Sequence, residues 1–185
     1  MATTIKRTGY GQVEPNHLSG IVTGQIYAQL PAANITGEGE SAKKTPIAQL
    51  EQGQFAKYDY AAGVVHFEGD GEFMLVYNEE KLYDERKQAH KDFVYKAADF
   101  TDGFMYPRLI KTNIGDIFTT NTFGANTSAD AEVAGIGLSV GNKLYVGDDG
   151  YLTTTQATDA TPVFKVVKEY TMPDGQPGVK IQRIQ

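Results

Sequence analysis

The sequence predicts a mainly β fold: a barrel-like or sandwich domain over 46–185, carrying one short helix and preceded by an extended N-terminal arm over 1–45. Three observations carry this. The C-terminal third holds two compact hairpin patterns. One runs Leu138 to Val146, turns through Gly147-Asp148-Asp149-Gly150 and returns over Tyr151 to Thr155. The other runs Val163 to Tyr170, turns through a loop of Pro, Asp and Gly, and returns over Val179 to Ile184. Their flanks are β-branched and aromatic, which suits a pleated, half-buried surface, and their turns hold residues that accept turn dihedrals. The second observation is a run of β character over 46–78. The third is the thin supply of large apolar side chains before residue 45.

In chain order, residues 1–45 are rich in Gly, Thr, Ala, Pro and Asn, and their apolar groups come singly: Tyr10, Val13, Leu18, then Ile21, Val22, Ile26, Tyr27 and Leu30. Gln25 to Leu30 reads as a short strand, and Gly37-Glu38-Gly39-Glu40-Ser41 as a flexible loop. Such a segment buries too little area to order itself alone. A floppy tail and an arm that orders on a neighbouring subunit are both open, and the spaced aromatics and aliphatics favour the arm. In the next stretch, Ile47 and Leu50 precede a Gln52-Gly53 turn. Phe55, Tyr58 and Tyr60 lead to Val64-Val65-His66-Phe67, and Gly69-Asp70-Gly71 reads as a hairpin turn into Glu72–Tyr77. Val65, Phe67, Phe73, Leu75 and Tyr77 have the parity of one sheet face.

Residues 78–92 break the β pattern. Asn78 suits a helix cap, Glu79 and Glu80 suit its first turn, and Leu82, Tyr83, Arg86, Ala89, His90 and Phe93 recur at roughly helical spacing. Short strands follow over Pro107–Lys111 and Asp116–Asn121, around an Asn113-Ile114-Gly115 turn. Phe123 to Gly137 reads as a long loop of polar and small residues.

The chain has 185 residues, 41% hydrophobic, with 20 glycines and a formal charge of −6. That length suits one domain with a real core. The acidic balance argues against nonspecific nucleic-acid binding, which needs basic stripes to displace phosphate counterions. The sequence holds no apolar stretch long enough for a membrane helix, and Met1 to Arg7 lacks the apolar block of a signal peptide. With no cysteine, disulfides, thiolate metal sites and cysteine nucleophiles are excluded. The 11 tyrosines can pack one ring face and keep the hydroxyl wet, as half-exposed sheets and interfaces require.

Residues equipped for chemistry are few. His17, His66 and His90 have no ligand spacing and no adjacent carboxylate motif, and His66 in a strand reads as a packed or edge side chain. The carboxylates between Glu68 and Asp102 alternate with Lys81, Arg86, Lys87, Lys91 and Lys96, which reads as a solvated, salt-bridged face rather than a glycosidase pair. Gly147-Asp148-Asp149-Gly150 lacks the later ligands of a calcium loop and reads as a turn. Gly135-Ile136-Gly137 lacks the third glycine of a dinucleotide fingerprint, and Ser19 and Ser139 lack a nucleophile-elbow setting. The expectation is a protein that is not an enzyme, with no catalytic residue, no metal and no cofactor.

The C-terminal pattern also resembles a family. Leu138, Val140-Gly141, Lys143, Tyr145-Val146, Asp148-Asp149-Gly150 and Leu152-Thr153, followed by Pro162 to Tyr170 and Val179 to Ile184, look like the closing hairpins of head decoration, or capsid cement, proteins of tailed bacteriophages. Asp116-Ile117-Phe118-Thr119 resembles the strand before that module. The likeness covers about the last seventy residues, and the N-terminal half and the charged helix have no counterpart in the pattern.

The resemblance implies a virion structural protein on the outer capsid surface, made in the host cytoplasm, that clamps neighbouring major capsid subunits. Many modest contacts repeated over a symmetric shell then add through multivalency. The expected partner is the major capsid protein, with self-association open and neither nucleic acid nor membrane involved. The expected contact residues lie on the arm: Tyr10, Val13, Leu18, Ile21, Ile26 and Tyr27, with Lys6 and Arg7 facing capsid carboxylates. The alternative is that these residues cover their own domain. Two other functions stay open: a tail-tube, head-fibre or receptor-binding component, and a carbohydrate-binding β module or glycoside hydrolase.

Overall fold

The computed structural model describes residues 3–37, 42–69, 71–78, 94–125, 127–128, 132–156, 161 and 163–185. Its elements in order are β1 (Thr3–Thr8), β2 (Val13–His17), the one-turn α1 (Ser19–Val22), β3 (Ile26–Tyr27), β4 (Ala33–Thr36), β5 (Lys43–Pro46), β6 (Gln49–Glu51), β7 (Phe55–Asp59), β8 (Val64–His66) and β9 (Phe73–Val76). They continue with β10 (Val94–Lys96), β11 (Leu109–Ile110), β12 (Ile117–Thr120), β13 (Glu132–Leu138), β14 (Lys143–Val146), β15 (Leu152–Thr153), β16 (Phe164–Thr171) and β17 (Pro177–Arg183). The helix expected over 78–92 falls, beyond Asn78, outside the described residues.

The fold is mainly β and sandwich-like. A sheet in the order β15-β14-β16-β17-β12-β2 faces one in the order β3-β11-β9-β7-β8, and neither closes into a barrel. Two-stranded ribbons β1-β13, β10-β6 and β4-β5 complete it. Both C-terminal hairpins form. Tyr145 pairs with Thr153 and Val146 with Leu152, while β16 runs against β17 with a bulge between Val166 and Lys168.

Between the two large sheets lies the main core. Phe55, Leu75 and Ile110 meet Phe118, Leu144, Phe164, Val166, Val179 and Ile181 there. The Phe55 and Phe164 rings are 5.3 Å apart, and Phe164 meets Phe118 edge-on at 5.6 Å. Each such ring contributes roughly 1.5–3 kcal/mol through burial, plus about 0.5–1.5 kcal/mol per ring pair. The five-stranded sheet is also covered on its other face. Ala56, Tyr58, Val65, Met74, Val76 and Leu109 pack there with Ala32, Ile47, Leu50 and Met105. Alternate residues of β7, β9 and β11 therefore serve two cores, as the period of two requires.

Three expectations need correction. First, Gly69–Gly71 does not join a hairpin. β8 and β9 both pair with β7, on opposite sides, so that Lys57 faces His66 on one side and Phe73 on the other. The connecting loop crosses β7 at Lys57, whose Nζ donates to the Gly69 carbonyl and lies 4.7 Å from the Phe73 ring centroid. The shared parity therefore splits: Phe73 and Leu75 face the main core, and Val65 and Phe67 face the second.

Second, the end of the expected Phe123–Gly137 loop is strand β13, paired with β1 from Thr3↔Leu138 to Thr8↔Glu132. Its glycines hid it. At Gly135 a Cβ would stand 2.7 Å from Thr4 Cγ2, so the close crossing of β1 excludes a side chain there.

Third, residues 3–36 do not stand off as an arm. β2 extends the six-stranded sheet beside β12, β3 extends the other beside β11, and Ile5, Val13 and Leu18 lie in the main core. The expected boundary at 45/46 separates no independent body here. In a segment too poor in apolar groups to fold alone, β1, β2 and β3 are ordered by strands more than eighty residues later in the chain.

Candidate functional site

The eight residues expected to grip a partner are placed almost wholly inward. Arg7 is 1% exposed. Its guanidinium pairs with Glu51 Oε2 at 2.9 Å and donates to the carbonyls of Gly9 at 2.7 Å and Gly124 at 2.6 Å. Tyr10, Val13 and Leu18 are buried, and Lys96 Nζ covers the Tyr10 ring at 5.2 Å. Ile21 and Ile26 are half-buried against the main core. Tyr27 packs on Tyr58 with ring centroids 5.3 Å apart. Lys6 alone is exposed, and it pairs with Glu132 on β13. Arg7 therefore cannot serve as a surface cation: a guanidinium out of water needs its counter-charge inside the fold.

Around Arg7 lies a buried polar cluster. Glu51, fully buried, also accepts from the Gly11 N–H at 2.8 Å and from the Tyr151 hydroxyl at 2.6 Å. Burial pushes the Tyr151 phenol far up, and the Glu51 carboxylate beside it adds to the effect. Neighbouring Gln54 accepts from the Glu51 N–H at 3.0 Å and donates to the Asp149 carbonyl at 2.6 Å, while Thr122 Oγ1 donates to the Gln52 carbonyl. The cluster ties β1, β6 and the β14–β15 turn together. Apart from Arg7 Nε, which is buried without a hydrogen-bond partner among the described residues, these groups bond to one another or to nearby backbone, which is the arrangement of a brace.

The Gly147–Gly150 turn closes as the sequence predicts. Gly150 N donates to the Gly147 carbonyl, and Asp149 Oδ1 accepts from the Tyr151 N–H at 3.1 Å. The turn then docks on β7, with Phe55 N donating to the Gly150 carbonyl at 2.8 Å. Gly150 has φ +78°, and a Cβ there would stand 2.0 Å from the Phe55 carbonyl oxygen. His66, expected to be packed, is buried, with Nε2 3.4 Å from Asp59 Oδ2. The Ala62 N–H holds the Asp59 carboxyl below its ordinary range; the pull of His66 is a smaller contribution. Among the described residues no three of His, Asp and Glu gather as a metal site needs.

What the fold does display is a pair of exposed aliphatic side chains on braced loops. Val22, at the end of α1, is 84% exposed, and Ile114, in the turn after β11, is 73% exposed. The two loops are laced together. Asp116 Oδ1 accepts from the Ser19 N–H at 3.0 Å, and Asn113 Nδ2 donates to Ser19 Oγ and Gln25 Oε1. Asp116 Oδ2 also accepts from the Asn113 N–H. Arg183 adds a further tie, donating to Thr112 Oγ1 at 2.7 Å and pairing with Glu72, which also pairs with Lys111 at 3.0 Å. Glu72 is partly desolvated, which alone would raise its carboxyl, but Lys111 and Arg183 hold it below the usual range. The sequence analysis used Ile114 only as a turn residue. Its signal was a large aliphatic side chain at the tip of an Asn-Ile-Gly turn.

No family model, curated protein or solved structure matches this chain.

Proposed function

We propose that this chain is a non-enzymatic virion structural protein that binds the outside of a phage head and stabilises contacts between major capsid subunits. The observation that carries the reading is the C-terminal pattern Leu138–Ile184, which resembles head decoration proteins. A second feature is compatible with it: a firm scaffold presenting Val22 and Ile114 on cross-braced loops. Solvent-exposed aliphatics are common when scattered. Two on loops that are hydrogen-bonded to each other offer a contact whose ordering cost is already met by the fold. Lys6 is the one expected arm residue still at the surface, and it joins the candidate contact set on that ground.

The test is binding of the full chain to expanded, undecorated heads, compared with Val22→Asp and Ile114→Asp. Burying one aliphatic side chain is worth roughly 1.5–3 kcal/mol, so each substitution weakens binding about tenfold or more. Unchanged affinity in both variants removes these side chains from the contact. Absence of any binding by the wild type removes the head-binding reading, and spontaneous assembly of the free protein into rings replaces it with a tail-tube component. Deleting residues 1–30 is not a usable test, because the deletion also removes Ile5, Val13 and Leu18 from the core.

A further inference from the structure

Residues of two edge strands line one groove. Among the described residues β13 pairs only with β1, and β15 only with β14. Among these residues each has a second edge of backbone donors and acceptors without a strand partner, the feature that soluble β proteins ordinarily pair or cover. The same groove, about 700 Å³, is lined by Val133, Ala134 and Ile136 of β13 on one side and by Leu152, Thr153 and the preceding turn on the other. Phe123, Tyr151 and Leu152 give it an apolar floor, and Asp148 and Asp149 an acidic rim.

Its size is informative. With strands about 4.8 Å apart, sheets about 10 Å apart and a rise of about 3.3 Å per residue, such a volume corresponds to about four residues of extended chain. β13 lines the groove over a similar length, Val133 to Ile136, with a register shift in its pairing to β1 within that stretch. The floor is apolar in the manner of the alternate side-chain pockets of strand-adding domains.

We propose that this groove takes an extended, otherwise unpaired segment of another protein chain as an added strand, with alternate apolar side chains on the Phe123 and Leu152 floor and a lysine or arginine beside Asp148. The hairpin ribbon of a second copy fits less well, because a strand already paired on one side has a single free edge, and the groove presents two. The proposal goes beyond the head-binding reading and does not depend on it: the groove selects for strand chemistry, whichever protein supplies the strand.

The experiment uses the full chain and a synthetic nine-residue peptide of alternating valine and threonine with lysine at both ends. Amide hydrogen exchange is read over 132–138 and 152–153. The expected result is exchange slowed in both stretches together and dependent on peptide concentration. An otherwise identical peptide N-methylated at alternate residues, which cannot complete the ladder, should give no slowing. Asp148→Lys, an exposed position, should weaken the lysine peptide about fivefold and favour a glutamate-ended one. Ala134→Trp, also exposed, should block both. No slowing at millimolar peptide with the wild-type melting curve intact overturns the proposal, as does equal slowing by the N-methylated peptide. Head binding is measured separately, so failure of the groove and failure of the head reading give different results.

Discussion

Replacing Arg7 by Met removes a charge from a place water does not reach. Met keeps most of the volume of the side chain, so the packing of β1 on the body is largely retained. Glu51 stays fully buried and loses its counter-charge at 2.9 Å, keeping the Gly11 N–H and the Tyr151 hydroxyl as neutral donors. Breaking one side of a buried pair costs about 3–5 kcal/mol, because the remaining charge is uncompensated. Set against a typical domain stability of about 5–15 kcal/mol, that is a large fraction. For a chain of this size it corresponds to a fall in melting temperature of about 10 °C. The companion variant Glu51→Leu strands Arg7 in the same way. The double variant should lose well under the sum of the two, since neither charge is then left alone. Urea unfolding of all four proteins measures this as midpoints at constant slope. An Arg7→Met cost below about 1 kcal/mol, or additive single costs, would refute the reasoning and return Arg7 to the surface, where the sequence alone had placed it.

Three more outcomes are expected. Gly150→Ala forces a Cβ against the Phe55 carbonyl oxygen at a positive φ, and should cost about 3 kcal/mol by thermal or urea unfolding, whereas Gly141→Ala, with φ +93° but nothing within 4 Å, should cost only the backbone term of about 1 kcal/mol. Glu72 has a folded-state carboxyl held below its unfolded value, so its contribution is present above about pH 4.5 and is lost as pH falls through the lower folded value. Because the group is partly exposed the contribution is small, under about 1 kcal/mol, and Glu72→Gln should differ from wild type at pH 7 and converge with it near pH 3 in urea titrations. Lys57→Met keeps contact with Phe73 but removes the donor to Gly69. It should cost about 1 kcal/mol and quicken hydrogen exchange in the loop that crosses β7, with little change in β16 and β17.

The parts of the fold legible in the sequence are those whose cause is local. Gly147-Asp148-Asp149-Gly150 makes its turn from dihedral freedom and an aspartate cap within a few residues, and the flanking parity of Leu144, Val146 and Leu152 follows at once. β13 was not legible, because Gly135 sits where β1 approaches closely and Gly137 adds a second glycine to the run, and a glycine in a strand looks like a loop until its neighbour is known. Of the candidate surface, the exposed turn at Ile114 was readable as a turn, but its lacing to α1 through Asp116, Asn113 and Ser19 was not, since those partners are more than ninety positions apart.

The strand runs of the C-terminal hairpins, the Gly147–Gly150 turn and the acidic balance follow from local sequence and composition, and the amino-acid order determined them unaided. Which strands became neighbours was decided only in three dimensions. β8 and β9 took opposite sides of β7, and β2 and β3 joined the two large sheets, with Ile5, Val13 and Leu18 in the main core. The reason is physical: a strand edge offers the same backbone donors and acceptors whatever its side chains. Parity tells which side chains share a face, while the partner is selected by how the whole set of apolar faces can be covered at once.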